Sequence, residues 1–173
     1  IPDVDAARQN FDGITYAKGA AVLKQLVHYV GRDNFYAGAR DYFQEHAFAA
    51  ATFDDLLKAL KKHTDRDLDA WSQAWLRTWG PDTLIPELHT EGEKIAELAI
   101  LAEAEDVCRP HRLTASLFDA DLHKYREIDI DLPAGDDTTR TIIDEAAGLP
   151  APELLLLNDA DHTYAKIRFD DTS

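Results

Sequence analysis

The sequence contains no methionine and a single cysteine, Cys108, among its 173 residues. One cysteine excludes an internal disulfide, so the fold must rest on a packed core, and a reducing compartment such as the cytoplasm is compatible with it. Basic residues are scarce as well: 18 Lys and Arg stand against 33 Asp and Glu, for a formal net charge of −15. The acidic excess is spread along the chain and not gathered in a tail. Without clusters of Lys and Arg there is no counterion-release drive toward phosphate backbones, so nucleic acid is not an expected partner. No apolar run approaches the ~20 residues a membrane helix needs, and no charged start followed by an apolar stretch marks a leader. No membrane partner is expected, and cytoplasmic localisation is. A chain that opens Ile1-Pro2 and lacks methionine is expected to be a segment excised from a longer protein.

Most chemistry-bearing motifs are missing too. There is no Gly-x-Ser-x-Gly elbow around Ser72, Ser116 or Ser173, and no Gly-rich phosphate loop or Gly-x-Gly-x-x-Gly. Tyr16-Ala17-Lys18 fails as a dehydrogenase Tyr-Lys pair on spacing and on the missing nucleotide site. The seven histidines, at 28, 46, 63, 89, 111, 123 and 162, are scattered. None begins a His-Glu-x-x-His pair, in which two His four apart on one helix face hold zinc. No metal site is expected within the chain, and Glu45-His46 reads as an ordinary helix end meeting the dipole.

The residues that are present fall into two regimes. Over residues 15–30, Tyr16, Gly19, Ala20, Leu23, Leu26, Val27 and Val30 recur at three- and four-residue steps, which predicts a helix burying that face, stopped by Gly31. Asp33 is the expected cap of a second helix with Phe35, Ala39, Tyr42, Phe43 and His46 on one side. Thr52 and Asp55 frame a capping box for a third helix, with Phe53, Leu56, Leu57 and Leu60 as its stripe. After Asp67, Leu68, Trp71, Trp75 and Trp79 lie near one face of a fourth, ended by Gly80-Pro81.

Past Pro81 the period falls from about 3.6 to 2. Ala96, Leu98, Ile100 and Ala102 alternate with their neighbours, as do Leu113, Ala115 and Leu117, and Ile128, Ile130 and Leu132 against Glu127, Asp129 and Asp131. Turn sequences at Asp119-Ala120-Asp121, Pro133-Ala134-Gly135-Asp136 and Asn158-Asp159-Ala160-Asp161 separate them. The apolar run Leu154–Leu157 predicts a strand covered on both faces. The expected fold is α+β, with a helical subdomain over residues 1–82 followed by an antiparallel β-sandwich over 83–173.

By pattern alone Tyr16 reads as a packing aromatic, and Trp71, Trp75 and Trp79 likewise. The opening stretch Phe11-Asp12-Gly13-Ile14-Thr15-Tyr16-Ala17-Lys18-Gly19-Ala20-Ala21-Val22-Leu23, however, resembles the zinc aminopeptidases of the aminopeptidase N type, family M1, whose catalytic domain is thermolysin-like. Asp69-Ala70-Trp71-Ser72-Gln73-Ala74-Trp75-Leu76 resembles the last helix of that domain. Thr83-Leu84 is similar to the start of the sandwich, and Arg109-Pro110-His111-Arg112-Leu113 and Leu154-Leu155-Leu156-Leu157-Asn158-Asp159 to its strands. The likeness is to actinobacterial members. It implies that Tyr16 is catalytic, with an O–H that stabilises the oxyanion, and that Gly13 and Gly19 allow close approach at the helix start. It implies zinc in the parent enzyme and peptides with a free N-terminus, neutral or basic in their first residue, as substrates. The family's His-Glu-x-x-His helix and later Glu are absent from the sequence, so no zinc and no activity are expected of the chain alone.

Two readings stay open at this point: a segment of a zinc aminopeptidase, or a non-catalytic helix-plus-sandwich interaction module in which Tyr16 is packing. A His-Glu-x-x-His encoded upstream of Ile1 separates them. An uncovered apolar face over residues 14–30 is further expected to make the isolated chain self-associate.

Overall fold

A computed structural model describes residues 16–169. Residues 1–15, which include Gly13 and positions 11–15 of the stretch 11–23, and residues 170–173 lie outside the described residues. The chain divides into two compact units, Ile1–Gln73 and Ala74–Ser173.

In the first unit, residues 16–18 form a π-helical turn that runs into α1, Gly19–Val30. α2 follows at once, Arg32–Glu45. The link is Gly31 at φ 90, whose N–H closes α1 on the Val27 and His28 carbonyls at 3.1 and 3.2 Å. A single residue turns the chain here because glycine tolerates that backbone region. Asp33 therefore sits inside the first turn of α2, where its charge suits the dipole, and is not the cap.

The buried side of α1 consists of Val22, Gln25, Leu26, Tyr29 and Val30. The predicted stripe is only partly met: Leu26 and Val30 are inside, while Tyr16 is 61% exposed and Leu23 43%. On α2 the contact runs through Gly38, and Phe43 is 70% exposed. A Cβ on Gly38 would stand 2.8 Å from the Cα of Leu60, so this glycine sets how closely α3, Phe53–Leu60, approaches. α3 opens on the predicted capping box. The Thr52 hydroxyl accepts from the Asp55 N–H at 3.3 Å, and the Asp55 carboxylate accepts from the Thr52 N–H at 3.0 Å.

α4, Leu68–Arg77, starts after Asp67, whose carboxylate accepts from the N–H groups of Asp69 and Ala70. Leu68, Trp71, Ala74 and Trp75 are buried. Trp79 falls beyond the helix end, past the reach of its stripe, and is 64% exposed. α4 supplies residues to both units.

The second unit carries β1, Thr83–Glu91; β2, Lys94–Glu103; β3, His111–Phe118; β4, Lys124–Leu132; β5, Thr138–Ile142; β6, Leu154–Leu157; and β7, Lys166–Ile167. One sheet has the order β5-β2-β1-β7 and the other β4-β3-β6. Leu84, Leu98 and Ile100 of the first sheet and Leu113, Ile128, Ile130 and Leu155 of the second form one core cluster. The chain is thus α+β, a helical part followed by a sandwich. Its pairings are antiparallel except for β1 with β7, parallel through Thr83–Lys166 and Leu84–Ile167.

Two local expectations change. In β2 the register slips beside His89 and Thr90, which pair with Glu97 and Ile95 and leave Ala96 between them. This bulge resets the alternation: Ile95 joins Leu98 in the core and Ala96 is exposed. β6 is an edge strand with only Leu155 and Leu157 buried, because it pairs with β3 alone and its alternate residues are half-covered.

Candidate functional site

Tyr16 sits on the turn that leads into α1, and its side chain is exposed. Its phenol can donate one hydrogen bond and accept others, and π-type turns recur at functional sites because they re-aim a side chain out of the regular helical order. Lys18, two residues on, is also exposed. Among the described residues, no group of three or more His, Cys, Asp or Glu is placed to hold a metal ion.

The second unit holds a polar network that the sequence pattern missed. Asp82 is fully buried and lies between the end of α4 and β1. Its Oδ2 accepts from the Arg109 backbone N–H at 2.7 Å and from His111 Nε2 at 2.9 Å, and its Oδ1 accepts from Arg109 Nη1. An ionised carboxylate only accepts, so the proton of that histidine contact is on Nε2. Nδ1 faces the Thr163 hydroxyl at 2.7 Å. Burial pushes the Asp82 carboxyl upward. The hydrogen bonds and charges of His111 and Arg109 outweigh that and hold it below the usual carboxylate range.

The Arg109 guanidinium completes the arrangement at the C-terminal end of α4. Nε donates to the Ala74 carbonyl at 3.0 Å, and Nη2 to the Thr78 hydroxyl at 2.6 Å and the Trp79 carbonyl at 3.0 Å. Carbonyls left open at a helix end are thereby capped by a cation, which also suits the dipole. Trp75 packs edge-on to His111 at 5.2 Å and donates its indole N–H to the Pro110 carbonyl at 3.1 Å. Both carboxylate oxygens and both ring nitrogens are engaged, so the network works as a clamp and offers no open group to a substrate. A signal for it exists: His111 is in phase with Leu113, Ala115 and Leu117 on the inward side of β3, and a histidine there requires a partner. That partner, Asp82, is 29 residues away, beyond any local pattern.

Residues 1–75 match the model of the Peptidase family M1 domain. Those residues belong to peptidase family M1. Along its full length the chain is similar to aminopeptidase N of Streptomyces lividans, 42% identical over 187 aligned positions that cover 100% of the chain and 21% of that protein. It is 29% identical to aminopeptidase N of Lactobacillus helveticus over 98% of the chain and 19% of that protein. It is 32% identical to the Tricorn protease-interacting factor F2 of Thermoplasma volcanium over 55% of the chain and 12% of that protein. The chain therefore spans about a fifth or less of these curated relatives. Tyr16 falls inside the matched residues, whereas the Asp82–Arg109–His111 clamp falls outside them. Likeness to the two aminopeptidases N continues across both compact units.

Proposed function

We propose that the chain is part of a zinc aminopeptidase, that residues 1–82 are the closing helical part of its catalytic domain and 83–173 an adjoining β-sandwich, and that Tyr16 is a catalytic residue. The observation that carries this reading is the exposed Tyr16, at the head of α1, within the residues matched to peptidase family M1. The proposed substrates are peptides with a free N-terminus, and the proposed compartment is the cytoplasm. Among the described residues no helix is long and apolar enough to cross a membrane.

Water attack on a peptide carbonyl turns its oxygen into a tetrahedral oxyanion. A phenol O–H held at that oxygen donates a hydrogen bond that strengthens as negative charge develops, so it lowers the barrier more than it tightens substrate binding. The zinc implied by the resemblance does not fit the residues present: the sequence has no His-Glu-x-x-His, and the described residues form no metal cluster. Zinc is accordingly proposed for the full-length protein only, and the 173-residue chain alone is proposed to be inactive. The exposed stripe on α1 is proposed to make the isolated chain self-associate.

The test is turnover of an aminoacyl-arylamide by the full-length protein with Tyr16→Phe, with zinc content measured alongside. Loss of one oxyanion donor is worth about 10²–10³ in kcat, and a fall of that size with zinc retained is the expected result. Unchanged turnover makes Tyr16 a structural residue and leaves the interaction-module reading in its place.

A further inference from the structure

α1 carries two apolar stripes, and either one could in principle be buried. Tyr16, Ala20, Leu23 and Val27 follow one another at helical steps of four, three and four, and Val22, Leu26 and Tyr29, with Val30 four residues beyond Leu26, form a second stripe. Hydrophobic burial is non-directional, so apolar content alone does not decide which stripe turns inward. Periodicity predicts a buried face that includes Tyr16 and Leu23 together with Leu26 and Val30, and the protein buries only the Leu26 and Val30 part of it, alongside Val22, Gln25 and Tyr29.

What distinguishes the buried face is Gln25. It is 0% exposed, and its Oε1 accepts the indole N–H of Trp71 at 2.8 Å. Trp71 is itself fully buried, near the start of α4 and in the same compact unit. The Nε2 of Gln25 finds no acceptor among the described residues. An aliphatic side chain at this position would avoid that unmatched amide, so the glutamine is a poor choice for stability alone. A directional bond inside an otherwise apolar contact acts differently: it is made in one rotation and register of the helix and lost in the others.

We infer that the buried Gln25–Trp71 hydrogen bond sets the rotation of α1 and thereby keeps Tyr16 exposed, which makes Gln25 a positioning residue for Tyr16. Its catalytic consequence rests on the proposed role of Tyr16. The consequence for Tyr16 exposure does not.

The experiment uses the full-length protein with Gln25→Met, Trp71→Phe, Tyr16→Phe and the two double variants that combine Tyr16→Phe with each of the others. Methionine keeps the volume of glutamine and removes the acceptor; phenylalanine removes the donor from the other partner, so the bond is probed twice by variants that disturb packing differently. Displacing a reacting group by ~1 Å costs up to about a hundredfold. Gln25→Met and Trp71→Phe are each expected to lower kcat toward that limit with KM unchanged, and to lower it no further when Tyr16 is already phenylalanine. Hydroxyl-radical labelling of Tyr16, read by mass spectrometry, is expected to fall in both variants. Equal falls in kcat with and without the Tyr16 hydroxyl, or full kcat in Gln25→Met and Trp71→Phe while Tyr16→Phe is impaired, overturns the positioning role. Full kcat in Tyr16→Phe overturns the catalytic reading instead, and Tyr16 labelling then decides the inference: unchanged labelling in both variants overturns it.

Discussion

Asp82 shows how one residue can hold a fold together by charge. It has no access to water, so the cost of its ionisation is met by Arg109 and His111 in the contacts described above. Removing one member of such a pair leaves the other charged and buried, at a cost of about 3–5 kcal/mol. Asp82→Asn is expected to destabilise the protein by that order, measured by urea denaturation at pH 7. The sign of its pH dependence follows from the lowered carboxyl of the folded state. The unfolded chain binds the proton first as pH falls. The stabilisation is therefore complete above the ordinary carboxylate value of about 4 and is lost as pH drops below it toward the folded value. The difference between wild type and Asp82→Asn should shrink in that acid range. A difference that stays constant from neutral pH down to pH ~3 would show that the charge of Asp82 is not what stabilises.

Helices and strands were legible in the sequence where their causes are local. The ends of the Thr52–Asp55 box are three residues apart and could be read directly, as could the Asp67 start of α4 and the alternation of Ile128, Ile130 and Leu132. The bulge at Ala96 could not, since it depends on which residues of β1 lie opposite. β5 escaped as well: its Thr-rich sequence lies at a sheet edge with alternate residues exposed, and no apolar alternation marks it. β7 is two residues long and exists only through its pairing with β1. Of the candidate site, Tyr16 was reached through family resemblance, while helical periodicity pointed it inward. The α2–α3 contact belongs to the same non-local class. Gly38 is one of several small residues in its helix, and only the approach of Leu60 gives it a role. Gly38→Ala would raise helix propensity in an isolated α2. In the folded chain it forces the methyl group against the backbone of Leu60, and overpacking of this kind costs about 1–3 kcal/mol. The expected outcome is a lowered denaturation midpoint for Gly38→Ala. A raised midpoint would mean that α3 moves aside freely and that the close approach is not a constraint.

Two opposing properties meet at the scale of the whole chain. The stripe containing Tyr16, Ala20 and Leu23 leaves apolar surface uncovered on α1, which favours association. A formal charge of −15 opposes it, because two copies repel at any distance within the screening length. That length is about 30 Å at 0.01 M salt and about 3 Å at 1 M, so repulsion fades with added salt while burial of apolar surface does not. Self-association of the 173-residue chain should therefore strengthen as sodium chloride is raised, the reverse of what attraction between opposite charges would give. Sedimentation velocity at several protein concentrations in low and high salt measures it. Leu23→Glu places a further negative charge in the middle of the stripe without touching the buried side of the helix, and should leave the chain monomeric in both. A chain that is monomeric in high salt at every concentration would mean that the α1 stripe is too small an apolar surface to join two copies. Association that weakens with salt, or survives Leu23→Glu, would move the contact to another part of the surface.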